Sequence, residues 1–189
     1  MGHVILIGGS PMAGKSTAAV ELASKLKWPC VSTDDIGAAL QTVVPINPMQ
    51  GQDYRDYYAD TPQRQLQLDT LQYHKALEPA IKRLIEDHST WGNSIVMEGW
   101  ALYPDAIAPL CNENVSSVWL IAGEGLLETR MRDQSNFLDG KAAQQYLLRS
   151  KWHNDFLLAQ CKAHNARYIV VDGSESPELL AAKVLKSKK

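Results

Sequence analysis

The sequence predicts an α/β fold of three layers, a parallel sheet covered by helices on both faces. Three observations carry this expectation. Short apolar runs rich in β-branched residues recur along the chain, helical patterns separate each from the next, and a glycine-rich loop joins the first run to the first helix. Strands buried on both faces read as continuous apolar runs, and strands that alternate with helices are joined by right-handed crossovers. A chain of 189 residues is expected to form one domain over 1–189, with room for a helical insertion.

The elements follow in order. Val4-Ile5-Leu6-Ile7 reads as the first buried strand, and Ser16-Thr17-Ala18-Ala19-Val20-Glu21-Leu22-Ala23 combines good helix formers with an apolar face. Cys30-Val31-Ser32-Thr33 is the second strand. Pro45-Ile46-Asn47-Pro48-Met49-Gln50-Gly51 is a turn-rich loop leading into Tyr54, Tyr57 and Tyr58. A long helical stretch follows, with apolar positions at Leu68, Leu71, Leu77, Ile81, Leu84 and Ile85, which Pro79 is expected to kink or restart. Residues 45–90 thus read as a helical insertion suited to an acceptor. Ser94-Ile95-Val96-Met97, Ser117-Val118-Trp119-Leu120-Ile121 and Tyr168-Ile169-Val170-Val171 complete the sheet. Between two helices, Asp133 to Lys141 is polar and carries Gly140, which suits either a lid or an ordinary surface loop.

Composition narrows the function classes. A formal net charge of −2 leaves no basic field to hold nucleic acid or an anionic membrane, and Lys186-Ser187-Lys188-Lys189 is a short solvated tail. The three cysteines, Cys30, Cys111 and Cys161, are far apart and form no metal-binding spacing, so buried reduced thiols are expected. The histidines form no H-E-x-x-H group. The N-terminus enters the first strand directly, without a signal peptide, and no apolar stretch approaches a membrane span; a cytoplasmic protein is the expectation. Oligomeric state is left open.

The chemistry is concentrated in Gly9-Ser10-Pro11-Met12-Ala13-Gly14-Lys15-Ser16, which fits G-x-x-x-x-G-K-[ST] between a strand and a helix. Loop N–H groups and the helix N-terminus would point at phosphates, Lys15 would reach the β/γ oxygens, and Ser16 would ligate Mg²⁺. Gly9, Met12, Ala13, Gly14, Lys15, Ser16 and Thr17 are therefore the candidate nucleotide-binding residues, with ATP and Mg²⁺ as the cofactors. Open parallel sheets bind ligands beyond the carboxyl ends of their strands. Asp34 and Asp35 follow the second strand. Asp34 is the candidate general base for an acceptor hydroxyl and Asp35 its rival, unless Thr33-Asp34-Asp35 caps the next helix. Glu98, Gly99 and Trp100 follow the third strand. Glu98 can hold Mg²⁺ through water, contact the acceptor, or be satisfied by backbone donors; Gly99 admits close backbone approach; Trp100 stacks on substrate or belongs to the core. Gly123 and Glu124 follow the fourth strand, and Asp172, Gly173 and Ser174 the fifth. Arg130 and Arg132 stand beside the polar 130–141 segment, where guanidinium groups can clamp phosphates, stack on adenine, or simply favour a helix dipole. Arg149 is a weaker candidate, and Arg55 and Arg64 read as solvated.

With these pieces placed, the chain resembles the P-loop kinases of the nucleotide- and shikimate-kinase-like type, and among them most resembles the 2-phosphoglycerate kinases. The matching pieces are Gly8-Gly9…Gly14-Lys15-Ser16-Thr17, Ser32-Thr33-Asp34-Asp35-Ile36, Glu98-Gly99…Pro104 and the Tyr168–Asp172 strand end. The resemblance implies a five-stranded sheet in the order 2-3-1-4-5, a helical lid over 130–141, ATP as donor, and a hydroxyl acceptor over Asp34, such as a hydroxy acid or its phosphorylated form. The chain departs from that family in the loop interior Ser10-Pro11-Met12-Ala13, at Trp100-Ala101, and over Pro45 to Arg64; all three bear on the acceptor rather than on ATP. Nucleoside monophosphate kinases fit less well, because their D-G-x-P-R is absent. Chloramphenicol-type antibiotic phosphotransferases and a nucleotide-dependent switch ATPase are the rival readings, whereas a nucleic-acid kinase lacks a basic track.

Overall fold

The computed structural model describes residues 1–133 and 140–186. Five parallel strands, β1 (Val4–Gly9), β2 (Cys30–Ser32), β3 (Ile95–Gly99), β4 (Val115–Ala122) and β5 (Tyr168–Val171), form one sheet in the order β2-β3-β1-β4-β5. This is the expected order. The helices are α1 (Lys15–Leu26), α2 (Thr33–Gln41), α3 (Tyr54–Asp60), α4 (Gln63–Thr90), α5 (Pro104–Ile107), α6 (Leu126–Asp133), α7 (Gly140–Ala163) and α8 (Pro177–Leu185).

Alternation along β1 builds the three layers. Val4 and Leu6 face Leu77, Ile81 and Ile85 of α4 and Leu157 and Cys161 of α7. Ile7 faces the other way, onto Ala18, Ala19 and Leu22 of α1 and Leu180, Ala181 and Val184 of α8. A third cluster, Tyr57, Tyr58, Leu66 and Ala142, joins α3 and α4 to the start of α7. No helix among the described residues is long and apolar enough to cross a membrane.

The structure corrects several expectations. Helix α4 runs unbroken through Pro79. Pro79 and Lys75, whose carbonyl loses its donor, both lie on the exposed face, where water can satisfy the freed group. The tyrosine cluster is itself a helix, α3, capped by Asp53, whose side chain accepts from Arg55 N at 2.8 Å. The cap of α2 is Ser32, which accepts from Asp34 N at 3.1 Å, and not one of the three residues after it. Of the cysteines only Cys161 is buried; Cys30 is exposed on the edge strand β2, and Cys111 in the turn after α5. In the expected lid, 130–133 close α6 and 140–141 open α7, while 134–139 lie outside the described residues.

Candidate active site

The loop between β1 and α1 is shaped by backbone conformations that few residues adopt. Gly14, the residue before α1, has φ 93°, and a Cβ there would stand 3.2 Å from Arg130 Nη1. At Gly9, with φ 147°, a Cβ would collide with the carbonyl of Leu120 on the neighbouring strand. Met12 takes a left-handed conformation without being glycine, at φ 63°. Two side chains tie the loop to its surroundings. Ser10 Oγ donates to Asn154 Oδ1 at 3.1 Å, and the same amide brackets β4 by accepting from Ala122 N at 2.8 Å and donating to Ala122 O at 3.1 Å. Arg130 Nη1 donates to the Met12 carbonyl at 2.6 Å.

Lys15 opens α1 yet is buried, its ammonium donating to Ser10 O at 2.9 Å. Burial lowers its pKa, and the negative charges of Glu98 and Asp34 oppose that shift. Ser16 is exposed and donates to Glu98 Oε1 at 3.0 Å. Glu98 is only 5% exposed and sits in register with Ile7 of β1 and Ser32 of β2, at the carboxyl end of the sheet. A hydroxyl and a carboxylate thus meet where the sheet faces the loop. Both are hard oxygen donors of the kind that magnesium takes.

A cleft of about 830 Å³ opens over this loop. It is lined by the phosphate-loop side residues Met12, Gly14, Lys15, Ser16, Thr17 and Arg130 together with Tyr54, Tyr57, Tyr58, Tyr73, Tyr146 and Arg149, with Asp34 and Trp100 also in the wall. Asp34 leaves the first turn of α2 and accepts from Trp100 Nε1 at 2.7 Å. Asp35 is exposed and does not line the cleft, nor do Gly9, Ala13, Glu98, Gly99 and Arg132. Beside Gly99 the space a side chain would need is filled by Thr33, so this glycine admits a neighbouring element. Gly123, Glu124, Asp172, Gly173 and Ser174 also stand outside the cleft wall, and Arg55 and Arg64 are exposed.

Sequence reasoning undervalued Arg149. The residue is 4% exposed, and its guanidinium lies 4.4 Å from the ring centre of Trp100, 4.8 Å from that of Tyr146 and 5.1 Å from that of Tyr58. Its Nε has no hydrogen-bond partner, and no carboxylate forms an ion pair with it among the described residues. The readable signal was its place on the buried stripe of α7 with Ala142, His153, Leu157 and Cys161, where a cation is out of keeping. Asn154, also buried, gave no sequence signal of its own.

Behind Trp100 stand three more polar groups. Tyr103 Oη lies 2.7 Å from His74 Nδ1 and 3.2 Å from His153 Nε2. Burial first, then neighbouring positive charge, holds both imidazoles well below their ordinary 6.5.

No protein-family model matches the sequence, and no curated protein matches it significantly. Solved structures do. Shikimate kinase from Bacteroides thetaiotaomicron aligns with a TM-score of 0.54 at 15% identity, over 96% of this chain and 94% of that one. Shikimate kinase from Acinetobacter baumannii, in complex with shikimate, gives 0.52 at 15% identity, over 98% and 91%. A sugar kinase from a Janibacter species gives 0.50 at 16% identity, over 98% and 93%. At these identities the likeness is one of fold alone.

Proposed function

We propose that this protein is an ATP- and Mg²⁺-dependent kinase that transfers the γ-phosphoryl group to a hydroxyl of a small anionic acceptor, a hydroxy acid or its phosphorylated form. One observation carries the reading. A single cleft joins a phosphate-loop lysine and serine to a carboxylate, Asp34, and to a buried guanidinium, Arg149, that has no counter-ion among the described residues. An unpaired buried cation is costly, and a bound anion supplies the missing partner.

Each side chain then has a task. The loop amides and the N-terminus of α1 face the triphosphate, and Lys15 neutralises its charge. Ser16 directly, and Glu98 through water, are suited to hold Mg²⁺, which adds charge neutralisation when bound. Arg149 fixes the acceptor's anionic group against the tyrosines of α3 and α7. Asp34 takes the proton of the acceptor hydroxyl as its oxygen bonds to the γ-phosphorus, while the bond from that phosphorus to the β,γ-bridging oxygen breaks and ADP leaves. Arg130, now on the Met12 carbonyl, is near enough to the loop to meet the charge of the transferring group. The chain acts as one domain over 1–189, with 45–90 supplying much of the acceptor wall, in the cytoplasm where thiols such as Cys30 and Cys111 stay free.

The test is a coupled ADP-release screen with Mg²⁺ over hydroxy acids, sugars, phosphorylated metabolites, nucleosides and chloramphenicol-type antibiotics. Turnover that requires an anionic hydroxyl compound is the expected result. ADP release indifferent to every acceptor would make the protein a switch ATPase, and turnover confined to the antibiotics would make it a drug-modifying enzyme.

A further inference from the structure

We infer that Trp100 is a positioning residue that holds the base Asp34 and the anion receptor Arg149 in register. The inference rests on the acceptor site just proposed and assigns Trp100 work that stacking on substrate does not describe. The indole uses three of its sides. Its N–H donates to Asp34 Oδ1 at 2.7 Å, which leaves Oδ2 for the acceptor hydroxyl. One face lies under the Arg149 guanidinium at 4.4 Å. Against another side stand His74, edge-on at 4.2 Å between ring centres and 86° between planes, and His153 at 5.7 Å.

A purely structural tryptophan behaves differently in this same protein. Trp119 is 1% exposed and gives its indole N–H to a backbone carbonyl, Leu102 O, at 2.8 Å. Trp100 is only half-buried, stands at the carboxyl end of β3, and gives its N–H to a carboxylate in the cleft wall. That bond occupies one lone-pair direction of the proposed base and fixes the rotation of its carboxylate, the kind of support that a catalytic group requires.

The wall behind the ring is built from three separate elements. His74 comes from α4, His153 from α7 and Tyr103 from the turn before α5, and the Tyr103 hydroxyl sits between the two imidazoles. His74 Nε2 and His153 Nδ1 are buried with no hydrogen-bond partner. Burial and the neighbouring positive charge keep both imidazoles neutral, so they present uncharged edges, and Arg149 is the cation against the ring. A neutral wall stops the indole from sliding away from Asp34 and leaves the guanidinium free for an incoming anion. Acceptor-side helices α4 and α7 are in this way brought into line with a base on α2.

Two substitutions separate the two grips. Trp100→Phe keeps an aromatic face for Arg149 and removes the N–H. Its kcat is expected to fall about 10-fold, with acceptor KM within about 3-fold and ATP KM unchanged. Trp100→Ala also removes the face, and acceptor KM is expected to rise about 10-fold as well. A readout free of turnover comes from the indole ¹⁵N–¹H spectrum of the nucleotide-free protein. The resonance lost in Trp100→Phe is that of Trp100, and in Asp34→Ala it is expected to move while those of Trp28, Trp91, Trp119 and Trp152 stay in place. Three results would overturn the inference: an indole resonance indifferent to Asp34→Ala, a Trp100→Phe protein with wild-type kcat, or losses in kcat and both KM values that track a fall in melting temperature. If no acceptor supports turnover in the wild type, the proposed function fails, and the indole spectrum still decides whether Trp100 holds Asp34.

Discussion

Replacing Arg149 by Met tests the acceptor site at its most unusual point. Methionine keeps the length and volume of the side chain and removes the charge, so little cavity results. In the free protein the change loses three ring contacts at 4.4, 4.8 and 5.1 Å. Such contacts contribute about 0.5–2 kcal/mol each. The change also removes a buried charge with no ion-pair partner among the described residues, whose desolvation penalty is on the order of several kcal/mol. The two nearly cancel, so folding stability should move by no more than about 1 kcal/mol, or roughly 2–4 °C for a chain of this size. Binding behaves differently. A hydrogen bond to a charged partner is worth about 1.5–3 kcal/mol, which corresponds to roughly a 10- to 150-fold rise in acceptor KM. ATP KM should stay within about 2-fold, because the proposed role of Arg149 is on the acceptor and not on the nucleotide. Calorimetric melting together with coupled ADP release over anionic and neutral acceptors measures all three quantities. Unchanged KM for every anionic acceptor, together with a melting temperature lower by 10 °C or more, would show that Arg149 serves the fold alone.

Asp34→Asn keeps an oxygen for the Trp100 N–H but loses basicity. It should lower kcat by about 10²–10⁴-fold with ATP affinity intact, and a matching loss of nucleotide affinity would move Asp34 to the metal. Asn154→Ala strands Ala122 N–H, Ala122 C=O and the Ser10 hydroxyl. A loss of about 2–4 kcal/mol in urea unfolding is expected, and a loss below about 0.5 kcal/mol would mean that water replaces the amide. The buried histidines set an acid limit. In the unfolded chain an imidazole protonates near 6.5, whereas in the fold His74 and His153 stay neutral well below that value. The unfolded state therefore binds more protons throughout that window, and stability, complete above about pH 6.5, falls as pH drops towards the folded values. Urea melts of the wild type and of the His74→Gln/His153→Gln protein between pH 7.5 and 5 check this, and identical slopes would refute it.

Local features of this chain were readable, and those made by distant elements were not. The phosphate loop could be found because its chemistry lies in consecutive residues, Gly9 to Ser16. The strands announced themselves by apolar runs, and the resemblance supplied their order. Helix α3 was hidden because Pro45 to Gly51 reads as continuous turn, and its start depends on one side chain, Asp53, reaching Arg55 N. Pro79 misled because helix interiors disfavour proline, yet its face of α4 meets water. Ser32 takes the capping role that the alternative reading gave to Thr33-Asp34-Asp35, which leaves the Asp34 carboxylate for the cleft. The cage around Arg149 joins residues 58, 100 and 146, separations over which a sequence pattern carries no geometry.

Asn154 has a consequence for how this cleft can change. By gripping Ser10 and Ala122 together, it welds the helix bearing Arg149 to the seat of the donor. Repositioning that helix to suit a new acceptor would disturb the donor's seat as well. Variation in substrate is therefore steered to the loop and short helix between Pro45 and Arg64, whose Tyr57 and Tyr58 pack on the start of α7. Grafting that stretch from a protein of the same fold is expected to change the acceptor of the proposed kinase while the phosphate loop stays as it is.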